Sequence, residues 1–401
     1  MPRVFLIVLD SFGCGEMPDS AKFNDINVNT LKSVSCQKEF IAPNLRKLGI
    51  FNLDGLGFET KEKNVLGSYA KLRELSMGKD TTIGHWEMAG IVSSQPFPTY
   101  PNGFPDYIIK ELEAQLGRKI ICNKPYSGTQ VINDYGDEHV KTGALIVYTS
   151  ADSVLQIAAH EDVVPLKVLY KYCEIVRRVM TGKDAVGRII ARPFVGENGH
   201  YTRTPNRHDF SLLPTKQTML NILQESGYDV IAVGKISDIF AKSGIDVSYT
   251  TKSNNEGMSK ALEMQNRDFN GICFVNLVDG DMVYGHRRDA HGYAQMITDF
   301  DIQLGEFLKN MKKDDVLMIT ADHGCDPLYT ASTDHTREYV PLLIVGNMIK
   351  KMNNLGVIDG LDCISATILD LFKTEERTSG ESLLDRVIKK WWQISNYLNL
   401  Q

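Results

Sequence analysis

The sequence predicts an α/β fold in which a parallel-rich sheet is covered by helices and interrupted by a smaller α+β module. In the first and last thirds of the chain, short β-branched and apolar runs alternate with stretches of helical periodicity, which is typical of such a sheet. Two irregular segments, residues 95–105 and 202–214, enclose a middle third that has strand and helix patterns of its own.

The elements of the core follow from their apolar runs. Buried strands are predicted at residues 4–9, 230–234, 271–278, 316–320 and 341–345. Apolar residues recur at helical spacing within 214–226 and 290–308, which predicts two amphipathic helices.

The middle third is predicted to be an inserted domain. Segment 95–105 contains four prolines, which exclude a central strand or a helix interior there. Beyond it, helices are predicted at residues 105–116 and 166–180, and strands at 119–122, 145–149 and 188–193. We therefore predict a discontinuous metal-binding catalytic core, residues 1–95 and 214–401, and a cap domain, residues 96–213.

Composition and charge narrow the class of protein. The 401 residues are 43% hydrophobic and 23% charged, which excludes a disordered or fibrous chain. The 44 Lys and Arg against 50 Asp and Glu give a formal charge of −6, which does not indicate a nucleic-acid or anionic-membrane partner. No apolar stretch approaches the ~18 residues of a transmembrane helix. The seven cysteines are scattered without C-x-x-C spacing, so we expect a cytoplasmic protein.

Carboxylates and imidazoles cluster beside the predicted strands. The candidates are Asp10, Asp281, His286, Asp322, His323 and His335. Asp10 alone is explained as a loop residue or a helix cap, and each Asp–His pair alone is explained by a structural role. Together they lie at strand ends, where ligands bind in open α/β sheets.

Three carboxylates and three imidazoles suffice for two divalent ions with three protein ligands each. Two ions about 4 Å apart suit displacement at phosphorus, because they stabilise the attacking and leaving oxygens together. The mixed oxygen and nitrogen ligands are compatible with manganese, zinc or iron, and less so with calcium.

Segment 78–88 contains a candidate nucleophile. Thr81 opens a predicted helix, where backbone N–H groups form a natural site for phosphate. Simple N-capping by Asp80 or Thr81 is the alternative explanation. A hydroxyl bound to metal can lose its proton near neutral pH and accept a phosphoryl group.

Five segments of the chain carry recognisable motifs. They are residues 8–15, 78–87, 284–289, 321–324 and 333–339, of which Asp-Thr-Thr-x-Gly-His-Trp-Glu (80–87) and Thr-Asp-His-Thr-Arg-Glu (333–338) are the most specific. Nearly end to end, the chain resembles the bacterial phosphopentomutase family of the alkaline phosphatase superfamily. The resemblance implies an alkaline-phosphatase-like core with an inserted cap. It also implies interconversion of ribose 1-phosphate and ribose 5-phosphate, or the deoxy pair, with two Mn²⁺ ions.

The resemblance further implies roles for particular residues. One ion would be held by Asp10, Asp322 and His323, and the other by Asp281, His286 and His335. Thr81 would be the phosphorylated residue, and a hexose or pentose bisphosphate would prime it. Thr81 is chosen over Thr82 because the nucleophile of the superfamily directly follows an aspartate, here Asp80. The sugar or phosphate contacts would be Asp152, Arg188, Arg203, Arg207 and Lys235. A pentose 1,5-bisphosphate would be the intermediate. Cys325 and His291 lie near the motifs but need no functional role, and we interpret Cys325 as a packing residue and His291 as a surface residue.

Other functions share these features. A cofactor-independent phosphoglycerate mutase or a metal-dependent phosphatase uses the same metal pair, although the glycerate enzyme normally carries serine where this chain has Thr81. A catalytically silent metal-binding scaffold would have gaps in the ligand set, and the sequence has none. The expected partners are pentose phosphates, with no nucleic acid, membrane or protein partner.

Overall fold

The computed structural model describes residues 2–150 and 152–389. Its strands are β1 (Arg3–Leu9), β2 (Ser68–Arg73), β3 (Ile120–Pro125), β4 (Leu145–Thr149), β5 (Val154–His160), β6 (Arg188–Glu197), β7 (His200–Arg203), β8 (His208–Ser211), β9 (Asp229–Val233), β10 (Val247–Tyr249), β11 (Gly271–Leu277), β12 (Asp315–Thr320), β13 (Val340–Gly346) and β14 (Asn353–Asp359). Its α-helices are α1 (Thr30–Ser35), α2 (Pro43–Leu48), α3 (Thr81–Met88), α4 (Asp106–Leu116), α5 (Gln130–Thr142), α6 (Leu166–Val179), α7 (Met219–Glu225), α8 (Ile236–Ile239), α9 (Asn254–Gln265), α10 (Ala290–Asn310), α11 (Cys363–Phe372) and α12 (Leu384–Val387). Short 3₁₀ turns occur at Ser20–Phe23, Ile50–Asn52 and Gly182–Asp184, and one π-helical turn at Gly280–Gly285.

The described residues form two compact units. The first combines the residues up to Gln95 with those from Pro214 onward, and the second is Pro96–Leu213. The end of the predicted core, residues 390–401, lies outside the described residues. The labels of catalytic core and cap stay predictions.

The first unit is built on an eight-stranded sheet in the order β10-β9-β11-β1-β12-β13-β2-β14. Every neighbouring pair is parallel except the two that β13 makes with β12 and β2. Strand β1 lies between β11 and β12, and all three are buried at every position. Strands covered on both faces have continuous apolar runs, which is why the sequence pattern predicts them. The α/β fold with a parallel-rich sheet is therefore confirmed.

The predicted elements of this unit differ from the structure mainly at helix ends. The five predicted strands correspond to β1, β9, β11, β12 and β13, and helix 290–308 corresponds to α10. The helix predicted at 214–226 is shorter, because α7 begins at Met219. A capping box between Thr218 and Asn221 fixes that start.

The second unit is an α+β module with a sheet in the order β3-β4-β5-β6-β7, to which β8 adds beside β6. Helices α4 and α6 cover one face, and α5 covers the other. The prediction that 202–214 is irregular throughout is wrong, because β7 and β8 both pair antiparallel with β6. In the part of the chain that the structure describes, no helix has both the length and the apolar character needed to cross a bilayer.

Candidate metal centre and phosphorylation site

Three carboxylates gather where the neighbouring strands β1, β11 and β12 end. Asp10 directly follows β1, and Asp322 lies just beyond β12. Asp281 lies in the π-helical turn Gly280–Gly285 after β11, a kind of wide turn that is frequent at functional sites. All three residues are buried, and even the most exposed, Asp281, has only 9% of its surface accessible.

The first group of potential ligands combines Asp10, Asp322 and His323, whose donor atoms lie within 4.8 Å of one another. The Nε2 atom of His323 lies 3.6 Å from Asp10 Oδ1 and 3.3 Å from Asp322 Oδ2. The other ring nitrogen of His323, Nδ1, lies 3.0 Å from the carbonyl oxygen of Gly324. That contact assigns the ring proton to Nδ1 and leaves the Nε2 lone pair facing the carboxylates.

The second group is centred on Asp281. Its Oδ1 atom lies 3.3 Å from His286 Nε2 and 3.1 Å from His335 Nε2. The His286 ring is oriented by its Nδ1 atom, which lies 2.6 Å from the carbonyl oxygen of Thr333. His323 also approaches this group, with its ring centroid 4.2 Å from that of His335. The structure thus brings all six predicted ligands together, while their division between two ions stays a prediction.

The carboxylate oxygens of this centre indicate a cation. Asp10 Oδ1, Asp281 Oδ1 and Asp322 Oδ2 are buried and accept no well-aligned hydrogen bond. Buried polar atoms are almost always satisfied, so each unsatisfied oxygen requires an explanation. Oxygen and nitrogen donors that face one another across a few ångströms suit a divalent metal ion.

Electrostatics supports the same interpretation. Burial raises the pKa of Asp10 well above its ordinary value, and the nearby Asp322 and Asp281 carboxylates raise it further. Burial lowers the pKa of His323 to about 4, so its ring is neutral at pH 7 and has a lone pair to offer. Burial also opposes ionisation of Asp281, but His335 and His286 outweigh it and hold its pKa well below the ordinary value. The donor set therefore fits divalent ions.

Thr81 is the first residue of α3. The Asp80 side chain caps this helix by accepting hydrogen bonds from the backbone N–H groups of Thr82 and Ile83, at 3.1 and 3.2 Å. The capping role thus belongs to Asp80. The Thr81 hydroxyl is left 3.2 Å from His323 Nε2, at the edge of the metal centre.

Sequence analysis missed a layer of side chains behind the ligands. His85 Nδ1 lies 2.8 Å from the carbonyl oxygen of Thr81 and 3.2 Å from Asp322 Oδ2. Asn276 donates a 2.8 Å hydrogen bond to Asp10 Oδ2 and lies 3.2 Å from His85 Nε2. His85 follows Thr81 by four residues, which places both on one helix face and was the available signal.

A buried guanidinium lies behind the nucleophile segment. Arg337 donates hydrogen bonds to the Glu74 carboxylate, to the carbonyl oxygen of Gly78 and to the Asp19 carboxylate. Gly78 lies three residues before Thr81. Arg337 thereby links the Thr81 segment to the His335 segment.

The predicted substrate contacts fall in both units. Lys235, in the first unit, places its Nζ 2.6 Å from Met282 Sδ. In the second unit, Arg188 lies 3.8 Å from Asp152 and 3.7 Å from Asp209. Arg207 makes two hydrogen bonds to the same Asp209 carboxylate, at 2.7 and 2.6 Å.

Arg203 and Arg207 also line a cavity of about 220 Å³ in the second unit. Sequence analysis missed a third arginine there, Arg192. Beside Arg203, the hydroxyl of Tyr148 is buried without a hydrogen-bond partner. A Cβ built on Gly128 would lie 2.9 Å from that hydroxyl and 3.1 Å from Arg203 Nη1, so the missing side chain leaves room between the two donors.

Comparisons with known proteins find relatives over nearly the whole chain. The model of the metalloenzyme superfamily matches residues 2–376. The chain is 57% identical over 391 residues to a phosphopentomutase of Lachnoclostridium phytofermentans, covering 97% of this chain and 100% of that protein. It is 51% identical over 389 residues to a phosphopentomutase of Acetivibrio thermocellus, covering 97% and 100%. Among solved structures, a Pyrococcus horikoshii protein aligns with a TM-score of 0.47 at 16% identity, covering 94% of this chain and 99% of that one. A Leishmania mexicana phosphoglycerate mutase aligns with a TM-score of 0.47 at 13% identity, covering 95% and 97%.

Proposed function

The chain belongs to the phosphopentomutase family of the metalloenzyme superfamily, and we propose that it interconverts ribose 1-phosphate and ribose 5-phosphate, or their deoxy forms, through a phosphorylated Thr81. It is an isomerase of the intramolecular phosphotransferase class. The observation that carries the proposal is the position of the Thr81 hydroxyl, 3.2 Å from His323 Nε2 at the beginning of α3.

Two Mn²⁺ ions are the proposed cofactors. We assign one to Asp10, Asp322 and His323, and the other to Asp281, His286 and His335. The unsatisfied buried oxygens of the three aspartates support this assignment, as does a donor set of oxygen and nitrogen only. When bound, the two ions supply positive charge that offsets the charge developing on a transferring phosphoryl group.

The proposed turnover has two balanced phosphoryl transfers. Phosphothreonine 81 donates its phosphoryl group to the free hydroxyl of the sugar monophosphate, and the proton of that hydroxyl passes to Thr81 Oγ1. The product of this step is a pentose 1,5-bisphosphate. In the second transfer Thr81 accepts the phosphoryl group from the other end of the sugar, its proton passes to the sugar oxygen, and the isomeric monophosphate leaves.

The residues around Thr81 orient it for both transfers. Asp80 fixes the start of α3, and His85 holds the Thr81 carbonyl oxygen at 2.8 Å. Neither contact uses the hydroxyl, so Thr81 Oγ1 stays available to a phosphoryl group. Holding a nucleophile in place reduces the entropy cost of reaching the transition state.

Five residues are the proposed contacts of the sugar or its phosphate. The proposed contacts are Asp152, Arg188, Arg203, Arg207 and Lys235. Arginine pairs well with phosphate because its planar guanidinium donates two parallel hydrogen bonds. The cavity lined by three arginines supports a phosphate contact in the second unit.

A hexose or pentose bisphosphate is the proposed primer, because a first phosphoryl group on Thr81 must come from a phosphorylated donor. We place the reaction in the cytoplasm, where seven unpaired cysteines stay reduced. The proposed partners are pentose phosphates alone.

The test compares three variants in an isomerisation assay on ribose 5-phosphate with Mn²⁺ and a trace of hexose bisphosphate. Thr81→Val is expected to abolish isomerisation, because no hydroxyl remains to accept phosphate. Thr81→Ser is expected to retain part of the activity. The matched control is Thr82→Val, which removes the neighbouring hydroxyl and is expected to stay active.

Mass spectrometry of the primed protein gives the second readout. One added phosphate is expected on the peptide that contains Thr81, and none on that peptide in Thr81→Val. Full activity of Thr81→Val, or phosphate on another peptide, would refute the assignment. Release of inorganic phosphate without any isomer would instead identify a phosphatase.

A further inference from the structure

Cys325 lies outside the proposed ligand set, but its sulfur shares a cluster with two members of that set. Asp281, His286 and Cys325 each offer a donor atom, and the three atoms lie within 4.8 Å of one another. Packing alone would account for a buried cysteine. Packing does not account for a carboxylate oxygen and an imidazole nitrogen beside the sulfur.

The backbone holds this sulfur in place. A Cβ built on Gly285 would lie 2.7 Å from Cys325 Sγ, so only glycine at the end of the π-helical turn leaves room for the sulfur. The backbone N–H of Cys325 lies 3.1 Å from both the Ser11 carbonyl oxygen and the Thr30 hydroxyl. These contacts do not involve the side chain, so a substitution at residue 325 leaves them intact.

The other two donors face the same space. His286 has its Nδ1 at 2.6 Å from the Thr333 carbonyl oxygen, which leaves its Nε2 lone pair facing Asp281. Asp281 Oδ1 is buried and accepts no well-aligned hydrogen bond. The two donors of Asp281 and His286 therefore point to a cation by themselves, without the sulfur of Cys325.

We propose that Asp281, His286 and Cys325 form an alternative site for a thiophilic divalent ion such as Zn²⁺ or Cd²⁺. One carboxylate, one imidazole and one sulfur with an open fourth position match the ligand types that tetrahedral Zn²⁺ takes. On binding, the sulfur–metal bond replaces the S–H bond, and one proton passes to solvent for each ion. The site uses Asp281 and His286 of the proposed manganese set with Cys325 in place of His335, so the two modes exclude each other.

This inference rests on the proposed ligand roles of Asp281 and His286, but it does not depend on phosphorylation of Thr81. In this proposal, Cys325 is the residue that lets the centre bind soft metals, because all its other donors are oxygen and nitrogen. Soft thiolate ligands favour Zn²⁺ over Mn²⁺. A thiophilic ion is thus expected to displace Mn²⁺ from this group.

The test titrates CdCl₂ into the chelator-treated full-length protein and follows the ultraviolet charge-transfer absorption of the sulfur–cadmium bond. The wild type is expected to develop this absorption with one equivalent of Cd²⁺. Cys325→Ser and Cys325→Ala are expected to lack it. In competition with a chromophoric chelator, both variants should bind Cd²⁺ at least about tenfold more weakly. Mutation of a residue that only hydrogen-bonds to a metal ligand already lowers metal affinity by about that factor. The matched control, Cys36→Ser, removes an exposed thiol and should behave as the wild type.

A second measurement separates loss of the sulfur from general damage. Free Mn²⁺ measured by electron paramagnetic resonance should give the same Mn²⁺ affinity in wild type and Cys325→Ser. In the wild type, Mn²⁺ added first should delay the cadmium absorption, and this holds even if a variant does not fold. Absorption that persists in Cys325→Ser, or that ignores Mn²⁺, would overturn the inference. Cadmium absorption as expected in a chain without isomerase activity would refute the proposed function alone.

Discussion

Replacing Arg337 with methionine is expected to destabilise the first unit by about 3–5 kcal/mol, the cost of leaving one member of a buried ion pair without its partner. Arg337 is 1% exposed. Its guanidinium donates to Glu74, Gly78 and Asp19, and it covers the ring of Phe23 at 4.9 Å. Methionine keeps most of the aliphatic volume, so the loss reports on charge and hydrogen bonds.

The magnitude follows from the surroundings of Glu74. Burial raises the pKa of this carboxyl well above its ordinary value, and the carboxylates of Glu87, Asp80 and Asp322 raise it further. Arg337 is the cation that opposes them. Without it, Glu74 must either stay charged in a buried site or take up a proton, and both outcomes cost free energy of folding.

The assay is urea unfolding followed by tryptophan fluorescence, to which Trp86 contributes as one of three tryptophans. Trp86 is a buried residue of the first unit. Arg46→Met is the matched control. Arg46 pairs with Glu59 at 2.9 Å and covers the ring of Phe51 at 4.5 Å, but its side chain is 35% exposed and that of Glu59 is 34% exposed. An exposed pair contributes at most about 1 kcal/mol, so this variant should unfold close to the wild type.

A double-mutant cycle tests the reasoning. Adding Glu74→Gln to Arg337→Met should recover about 2 kcal/mol relative to the sum of the single losses, because the orphaned charge is removed. If Arg337→Met loses no more than Arg46→Met, or if the two substitutions add without coupling, the buried pair does not have the assigned energetic role.

Four further outcomes are expected. Gly84→Ala should lower the free energy of unfolding by about 1–3 kcal/mol, because its Cβ would lie 2.5 Å from the carbonyl oxygen of Asp322; unchanged urea unfolding would contradict this. Burial lowers the pKa of His139, and its Nε2 accepts the N–H of His160 at 2.9 Å. The neutral ring therefore stabilises the second unit above the unfolded pKa of about 6.5, and this contribution is lost as the pH falls below that value. The protection factor of the His160 amide, which is the intrinsic exchange rate at a given pH divided by the observed rate, should fall toward pH 5 in the wild type, and a pH-independent protection factor would refute the assignment. Chelator should abolish isomerisation and Mn²⁺ should restore it best. His335→Ala should lower the metal content by about one ion without changing circular dichroism, whereas an unfolded variant would indicate a structural role.

The sequence predicts strands well where local pattern and burial agree. β12 is buried at all six positions, and its apolar run predicts it to within one residue. β5 was missed, although it is buried throughout, because Gln156 interrupts its apolar pattern. That side chain accepts a 3.0 Å hydrogen bond from Arg192 on the neighbouring strand. Such a partner lies far away in sequence, so no local pattern contains it.

The sequence also fails to predict two short strands, β7 and β8, for a related reason. β7 and β8 are only four residues long, are largely polar, and flank Pro205. Their sequences are typical of a loop. What makes them strands is the extended β6, which offers pairing positions to both. The side chains behind the metal ligands escape prediction for the same reason. Asn276 belongs to a buried strand, and only the neighbouring Asp10 gives it a role at the site.

The geometry of the second ligand group depends on an irregularity of the backbone. The spacing of its residues in the sequence would, in a regular helix, keep them apart. Residues five apart in an α-helix point about 140° away from each other, so Asp281 and His286 would not meet there. The π-helical turn Gly280–Gly285 is wider, and across it His286 Nε2 comes within 3.3 Å of Asp281 Oδ1. The glycine that ends this turn also leaves the space that Cys325 Sγ occupies. One local widening of the backbone therefore both pairs the two ligands and brings sulfur beside them, which is why the motifs predict the donors of this group but not its access to soft metals.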